Sequence, residues 1–257
     1  MKNLMQNLKK PLLFALALLP VAIIGGIFTG MYLIDTSSPE NLEMLLAQFG
    51  SANVLIVITT IQTCTYALFC GFFGYILADK IGLIKPSFKV EKDIAIKAIA
   101  FGAITGALLV IDYCISGNIY PTIKDVTKTG LSVSSIISSI LYGGIIEEIM
   151  MRLFLMSFII FVIWKLFLKK KSKEEIPTAV FVATNIIIAL AFAAGHLPAT
   201  ILMFVELTPL LLIRCFLLNG IGGFLFGELY HRYGIQYAII AHMGAHIISK
   251  LIFILFI

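Results

Sequence analysis

The stretch GGIIEEIMMRLF, residues 143–154, places two adjacent carboxylates and an arginine inside one of the most apolar parts of the chain. Of the 257 residues, 60% are hydrophobic and 13% are charged, whereas soluble domains average about 25% charged residues. Apolar runs of about 20 residues, long enough to cross a bilayer as a helix, recur along the whole sequence. We therefore predict a single integral membrane domain over residues 1–257, built as an all-α, polytopic transmembrane helical bundle.

The positions of the apolar runs predict about eight spans. They lie near residues 11–34, 53–78, 94–114, 143–167, 177–195, 198–213, 215–230 and 236–257. The segment 198–230 must cross twice to give this count, in two short passes of which Pro209 interrupts one. A single tilted pass is the competing interpretation. The N-terminal run is longer than a signal-peptide core and no clear cleavage site follows it, so we expect it to stay attached as the first span.

Basic residues alternate between the connecting loops. The N-terminal segment and the second and fourth loops are rich in lysine, whereas the first loop, residues 35–53, contains neither lysine nor arginine. Because short cytoplasmic loops carry the excess of these residues, both termini are predicted to be cytoplasmic. The compact, Lys-rich chain indicates a bacterial plasma membrane. Its net charge of +5 follows the membrane and does not indicate a nucleic-acid partner.

The run from Leu131 to Phe167 is too long for one straight span, because as a helix it would measure about 55 Å against a hydrocarbon core of about 30 Å. Gly143-Gly144 is the predicted break. Residues 132–142 would then lie along the outer interface or re-enter the membrane as a short helix. Glu147 and Glu148 would occupy the first turn of the span, where the helix dipole favours a carboxylate.

Ionisable residues within a span are costly and by default indicate function. Glu148 and Arg152 are four residues apart with the acid first, which is the favourable order for an ion pair within a helix. Glu147 lies about 100° around the same helix and lacks that partner. The alternative interpretation is a buried salt bridge that only locks helices together.

Three of the four histidines lie within predicted spans or at their ends. His196 ends one apolar run, and His242 and His246 share one helix face at a spacing of four residues, which is also found in zinc sites. With eight spans, these histidines and Glu147 would all lie in the outer third of the bilayer. With seven, His242 and His246 would enter from the inner side and miss the others.

Two kinds of chemistry fit these residues, and the sequence does not decide between them. Glu147 could act as a general base on a water oriented by His196, with His242 and His246 stabilising the oxyanion of a tetrahedral intermediate. Alternatively, the same four side chains could bind Zn²⁺, which would polarise the water and the carbonyl. Both alternatives predict hydrolysis of a peptide bond in a membrane-embedded protein or peptide.

Three motifs occur in a fixed order: EEIMMR at 147–152, FAAGH at 192–196 and HMGAH at 242–246. They resemble the EExxxR, FxxxH and HxxxN or HxxxD motifs of the CAAX-protease and bacteriocin-processing family of intramembrane endopeptidases, which includes the type II CAAX prenyl endopeptidases. The resemblance covers roughly residues 130–250.

The resemblance implies a role for each motif residue. Glu147 would be the water-activating base, assisted by His196. Glu148 and Arg152 would support the site. His242, together with the residue at position 246, would form the oxyanion or metal-ligand pair.

The chain departs from the family at His246, where Asn or Asp is usual. A neutral imidazole can donate one hydrogen bond, as an amide can, so the oxyanion role remains open. The departure also keeps open a non-enzymatic membrane immunity or regulatory protein that retains the protease fold. A small proton-coupled transporter is a third hypothesis, although no inverted repeat is evident. Eukaryotic relatives cleave prenylated proteins on the cytosolic side, whereas the charge pattern here places the site toward the outside.

Overall fold

The computed structural model describes residues 2–85, 89–204 and 206–256, and every regular element within these ranges is helical. The helices are α1 (Lys2–Ala17), α2 (Leu19–Thr36), α3 (Pro39–Phe49), α4 (Ala52–Lys80), α5 (Lys92–Ile119), α6 (Thr122–Thr129), α7 (Val133–Phe167), α8 (Thr178–Gly195), α9 (Leu197–Met203), α10 (Pro209–Tyr233) and α11 (Ile235–Phe256). A short 3₁₀ turn, Lys173–Glu175, lies between α7 and α8. The predicted all-α bundle is confirmed.

Within the described ranges, seven segments are long and apolar enough to cross a membrane. They are Leu8–Thr36, Ala52–Lys80, Lys92–Ile119, Val133–Phe167, Thr178–Met203, Pro209–Tyr233 and Ile235–Phe256. Many large apolar side chains on these segments are exposed on the outside of the bundle, as lipid-facing side chains are. These segments indicate an integral membrane protein.

The count is seven rather than eight because the segment 198–230 contributes one long helix instead of two short passes. Pro209 occupies the first turn of α10, and the side chain of Thr208 caps that turn by accepting a hydrogen bond from the backbone of Leu211. Proline fits the start of a helix, so it begins this span where we expected it to interrupt one. The prediction that both termini are cytoplasmic depended on an even number of spans, and seven spans remove that basis.

The predicted break in the long apolar run is wrong. Helix α7 continues without interruption through Gly143-Gly144 and includes two π-helical stretches, Ser139–Glu147 and Ile149–Met156. Such stretches are rare and frequently occur at functional sites. Residues 132–142 therefore form no separate interfacial or re-entrant helix. The two carboxylates lie in the middle of α7, far from its first turn.

The two glycines of α7 serve close packing against α11. A Cβ added to Gly144 would lie 2.3 Å from Cγ of Met243, and one added to Gly143 would lie 3.1 Å from Nε2 of His246. The missing side chains let α11 approach the part of α7 that carries the carboxylates. The need for close packing between α7 and α11, and not backbone flexibility, accounts for glycine at positions 143 and 144.

Three further helix contacts use pairs of glycines four residues apart. These pairs are Gly26/Gly30 on α2 against α4, Gly102/Gly106 on α5 against α11, and Gly223/Gly227 on α10 against α8. Small residues at this spacing let helix backbones approach closely, which is a main source of association between helices in lipid. Two of these contacts hold motif-bearing helices close to their neighbours, α11 to α5 and α8 to α10.

We expect Gly102→Ala to lower the stability of the bundle. Its new Cβ would lie 2.5 Å from the backbone oxygen of Ala241, and because backbone cannot move aside cheaply the two helices must separate. Overpacking of this kind costs about 1–3 kcal/mol. Thermal unfolding in detergent measures the effect, with Gly220→Ala as the control because no atom lies within 4 Å of its added Cβ. Equal unfolding temperatures for the two variants would contradict this packing.

Candidate active site

A buried polar network joins three helices in the middle of the bundle. Glu148 on α7 accepts a hydrogen bond at its Oε1 from Nδ1 of His242 on α11, over 2.9 Å. Its Oε2 lies 3.4 Å from Nε of Arg152, one turn further along α7. Arg152 in turn donates from Nη2 to the backbone oxygen of Gly223 on α10, over 2.9 Å. The predicted ion pair within α7 is thus present, and it extends to the other two helices.

Glu148 and Arg152 are fully buried and His242 is nearly so. A buried carboxylate without a partner would cost several kcal/mol, and here a guanidinium and an imidazole compensate it. Because a carboxylate only accepts hydrogen bonds, Nδ1 of His242 carries the proton in this contact, and Nε2 is the nitrogen left for other partners. The network therefore fixes the ring of the first histidine of the HMGAH motif.

Phe192, the first residue of the FAAGH motif, connects the remaining histidine to this network. Its ring lies 5.3 Å from the guanidinium carbon of Arg152 and edge-to-face with the rings of His196 and His242, at centroid distances of 4.6 and 5.8 Å. Nδ1 of His196 donates to the backbone oxygen of Phe192 over 2.8 Å, which leaves Nε2 of that ring as an acceptor in the neutral form. Phe226 covers the other side of His242, stacked at 4.6 Å.

Glu147 and His246 both lie beside Gly143, next to the buried network. The His246 ring stacks on His242 with centroids 5.0 Å apart. The point where Gly143 would carry a Cβ is 3.1 Å from Nε2 of His246 and 3.9 Å from Oε2 of Glu147. Both side chains are only half-buried, unlike the network below them. A carboxylate oxygen and an imidazole nitrogen thus border the same side-chain-free position.

The structure brings the six residues of the predicted site into neighbouring positions, but at two levels. Glu148, Arg152 and His242 form the buried level. The half-buried level contains Glu147, His246 and His196. The ring of His196 contacts Phe192, whose ring also contacts His242 in the buried level. The roles assigned to these residues remain predictions.

The expectation that only eight spans would let the histidines meet the carboxylates is wrong. It assumed that Glu147 lies near one end of its span, so that His242 and His246 had to enter from that same end. Instead, the carboxylates lie in the middle of α7, and His242 lies about two turns into α11. Two helices that cross near their middles can form the site whichever end α11 starts from.

Lys250 extends the contact between α7 and α11 and was missed in the sequence. It follows His246 by four residues, and its Nζ donates to the backbone oxygen of Gly130 over 2.6 Å and to Oγ of Ser135 over 3.0 Å. Residues 242, 246 and 250 therefore form one face of α11 that pairs in register with α7. The repeated spacing of four was a usable signal, whereas the serine partner was not identifiable from the sequence.

Among the described residues, no three His, Cys, Asp or Glu side chains form a preassembled group that could hold a metal ion. Nδ1 of His196 and Nδ1 of His242 are hydrogen-bonded, which leaves Nε2 of each ring for another partner. Zinc dependence stays a prediction, and the chemistry below is derived from the side chains alone.

Comparison with known proteins adds one finding. Residues 129–248 match the family model described as type II CAAX prenyl endopeptidase Rce1-like. No curated protein and no solved structure gives a significant match. The matched segment contains all three motifs and confirms the resemblance seen in the sequence. It supports a membrane-embedded protease as the general class.

Proposed function

We propose that this chain, which matches the Rce1-like type II CAAX prenyl endopeptidase family model over residues 129–248, is an intramembrane endopeptidase that hydrolyses a peptide bond of a membrane-associated substrate. The observation that carries the proposal is that Glu147 and His246 border the same position beside Gly143, next to a buried Glu148–His242 pair. A carboxylate beside imidazoles, away from bulk solvent, is suited to activating water and stabilising the charge that develops on a carbonyl.

In the proposed reaction, Glu147 is the general base. Its carboxylate takes one proton from water while the water oxygen bonds to the carbonyl carbon, and the carbonyl π electrons move to the carbonyl oxygen. When the intermediate collapses, the C–N bond breaks and the proton held by Glu147 passes to the leaving amine. Because Glu147 stands outside the buried ion-pair network, its carboxylate is not committed to Arg152.

The histidines would position the water and stabilise the oxyanion. His196 has its Nδ1 hydrogen-bonded to backbone, so its Nε2 can accept a hydrogen bond from the attacking water. His246 would donate to the oxyanion. His242 would assist through Nε2 when its ring is protonated, a state that Glu148 stabilises in the way a triad carboxylate stabilises its imidazolium.

Glu148 and Arg152 would act as positioning residues. Neither borders Gly143, and both are fully buried. Glu148 orients the ring of His242, and Arg152 holds Glu148 in place while anchoring α7 to α10 through Gly223. Their removal should therefore change both the fold and the site.

The substrate would reach the site from the lipid. Ala194 and Gly195, directly before His196, are exposed on the surface of the bundle, and a Cβ added to Gly195 would meet no atom within 4 Å. A segment tethered in the membrane could approach His196 from this side. The family description points to a C-terminal substrate with a prenylated cysteine, and we propose a lipid-anchored peptide of this kind as the first probe.

The hydrolysis test uses the purified chain in lipid vesicles with a peptide that ends in a farnesylated cysteine followed by three residues. In water labelled with oxygen-18, we expect one label in the new carboxylate of the product, detected by mass spectrometry. The same peptide without the farnesyl group should be cleaved more slowly, because it is not concentrated in the membrane.

Two further experiments test whether the mechanism needs a metal and whether the protein is an enzyme at all. Cleavage should persist after treatment with a strong zinc chelator, since the base and oxyanion donors are side chains of the chain itself. Loss of cleavage on chelation with recovery on adding zinc would instead establish the metal-dependent mechanism. The non-enzymatic immunity or regulatory alternative predicts that neither peptide is cleaved. It also predicts that any protection the chain gives to cells persists in the Glu147→Ala variant.

A further inference from the structure

A basic surface with two adjoining cavities lies at one end of the bundle, outside the proposed active site. It is the end at which α4 and α10 finish and α5 and α11 begin. Two contacts show that the connecting segments meet there. A Cβ on Gly234 would lie 3.3 Å from Cγ of Lys85, and one on Gly82 would lie 3.9 Å from Cδ of Lys173. We call this end of the bundle the basic end.

The first cavity has a volume of about 310 Å³. Three cationic residues line it: Lys85, Lys89 and Arg232. Its wall also contains Glu91, Ile94 and neutral hydrogen-bonding side chains, among them Tyr233 and Gln236. Lysine, arginine and tyrosine together supply the donors that a phosphate group needs. The cavity is large enough for a small phosphorylated headgroup.

The second cavity, of about 290 Å³, adjoins the first, because Arg232 and Tyr233 line both. Its wall also contains the apolar side chains of Phe101 and Leu229. The cation Lys97 lies at this wall, with Nζ 5.7 Å from the centre of the Tyr233 ring. A cavity lined by three cations therefore adjoins a more apolar cavity, as the headgroup and acyl chains of an amphiphile require.

Carboxylates at the site only partly offset its positive charge. Across the two cavities, Lys85, Lys89, Lys97 and Arg232 are cationic, whereas Glu91 and Glu228 are anionic. Glu228 is itself engaged in an ion pair with Arg232. The excess of positive charge favours an anion over a zwitterion.

The helices around the site hold part of its cationic wall. Lys97 stands on α5 and Arg232 on α10, whereas Lys85 and Lys89 lie in the segment between α4 and α5. The start of α5 is tied to α11 because the backbone N–H of Glu91 donates to the hydroxyl of Tyr237 over 2.8 Å. Two packed helices therefore fix one side of the site.

From these observations we propose that the two cavities at the basic end bind one anionic phospholipid. Its phosphodiester would occupy the cavity lined by Lys85, Lys89 and Arg232, and its glycerol and first acyl carbons would lie against Phe101 and Leu229. A free phosphate would use only the first cavity, so the apolar second cavity favours the lipid. Basic pockets between transmembrane helices are suited to anionic headgroups, and juxtamembrane lysines are attracted to anionic lipid.

Lipid binding can be measured by native mass spectrometry of the purified chain titrated with phosphatidylglycerol. We expect saturable binding of one phosphatidylglycerol and much weaker binding of phosphatidylcholine. The double variant Lys85→Gln/Lys97→Gln should weaken the apparent affinity about 30-fold, from about 1 kcal/mol per lysine. The matched control is Lys169→Gln/Lys170→Gln, because these exposed lysines follow α7 and line neither cavity.

Three results would each overturn a part of the proposal. Equal loss of affinity in both double variants would show that lipid binding depends on the general surface charge and not on the two cavities. Equal binding of phosphatidylcholine would overturn the preference for an anion. Competition by inorganic phosphate at the same concentration as the lipid would overturn the role of the second cavity. Thermal unfolding without lipid checks that the variants are folded, and each single lysine variant repeats the test if the double variant is not.

Discussion

Glu147→Gln should abolish peptide hydrolysis while leaving the bundle folded. The amide has the size of the carboxylate but cannot accept a proton from water, so the general-base contribution is lost. Contributions of this kind amount to about 100- to 10,000-fold in rate. Because Glu147 takes no part in the buried contacts of Glu148, the free energy of unfolding should change little. Initial rates on the farnesylated peptide, with unfolding temperatures of the same preparations, measure both effects.

The control for this variant is Glu206→Gln, which removes a carboxylate that is exposed between α9 and α10. It should leave the rate unchanged. If Glu147→Gln retained the rate of the unaltered chain, Glu147 would not be the base. If Glu147→Gln lost activity only because it unfolded, the lower unfolding temperature would reveal this.

Glu148→Leu should be the most damaging single change to the fold. It leaves Arg152 buried without its counter-charge and removes the acceptor for Nδ1 of His242. Breaking one partner of a buried ion pair typically costs about 3–5 kcal/mol, a large share of the stability of most proteins. We expect a correspondingly lower unfolding temperature in detergent and the loss of peptide hydrolysis.

The double variant Glu148→Leu/Arg152→Met separates the charge effect from the positioning of His242. Replacing both partners by apolar residues removes the uncompensated charge, so much of the stability should return, less the hydrogen bond from Arg152 to Gly223. Hydrolysis should not return, because the ring of His242 still lacks its acceptor. Stability equal to that of the unaltered chain in the single variant, or full activity in the double variant, would contradict the network.

Much of the general architecture follows from composition and spacing. Apolar runs of span length predict an all-α membrane bundle, since only helices and closed barrels satisfy their backbone groups in lipid. The ion pair between Glu148 and Arg152 also follows from local sequence, because residues four apart in a helix are neighbours. Such inferences succeed where the deciding contact lies within one helix.

The errors concern contacts between helices. Gly143-Gly144 was interpreted through its conformational freedom as a break, whereas the approach of Met243 and His246 explains it as a packing site. Pro209 was interpreted as an interruption, but proline is equally suited to the first turn of a helix, and the helix that follows it decides which applies. Neither choice is determined by the residues within a few positions of the glycine or proline.

The composition of the site was predictable, but its geometry was not. The three motifs identify Glu147, His196, His242 and His246 as candidates, and the resemblance assigns them roles. The partner of His242 depends on how α11 is placed along α7, which the packing of small residues determines. The division into a buried level and a half-buried level therefore had no signal in the sequence.

The most direct test of the central claim is an experimental density map of the chain in lipid, at a resolution that shows ordered water. The account predicts a water beside Gly143, within hydrogen-bonding distance of the Glu147 carboxylate and Nε2 of His196, with Nε2 of His246 lining the same space. It also predicts a direct contact between Glu148 and His242 below that water. Glu147 and His246 separated by packed apolar side chains, or lying beyond the reach of one water, would contradict it.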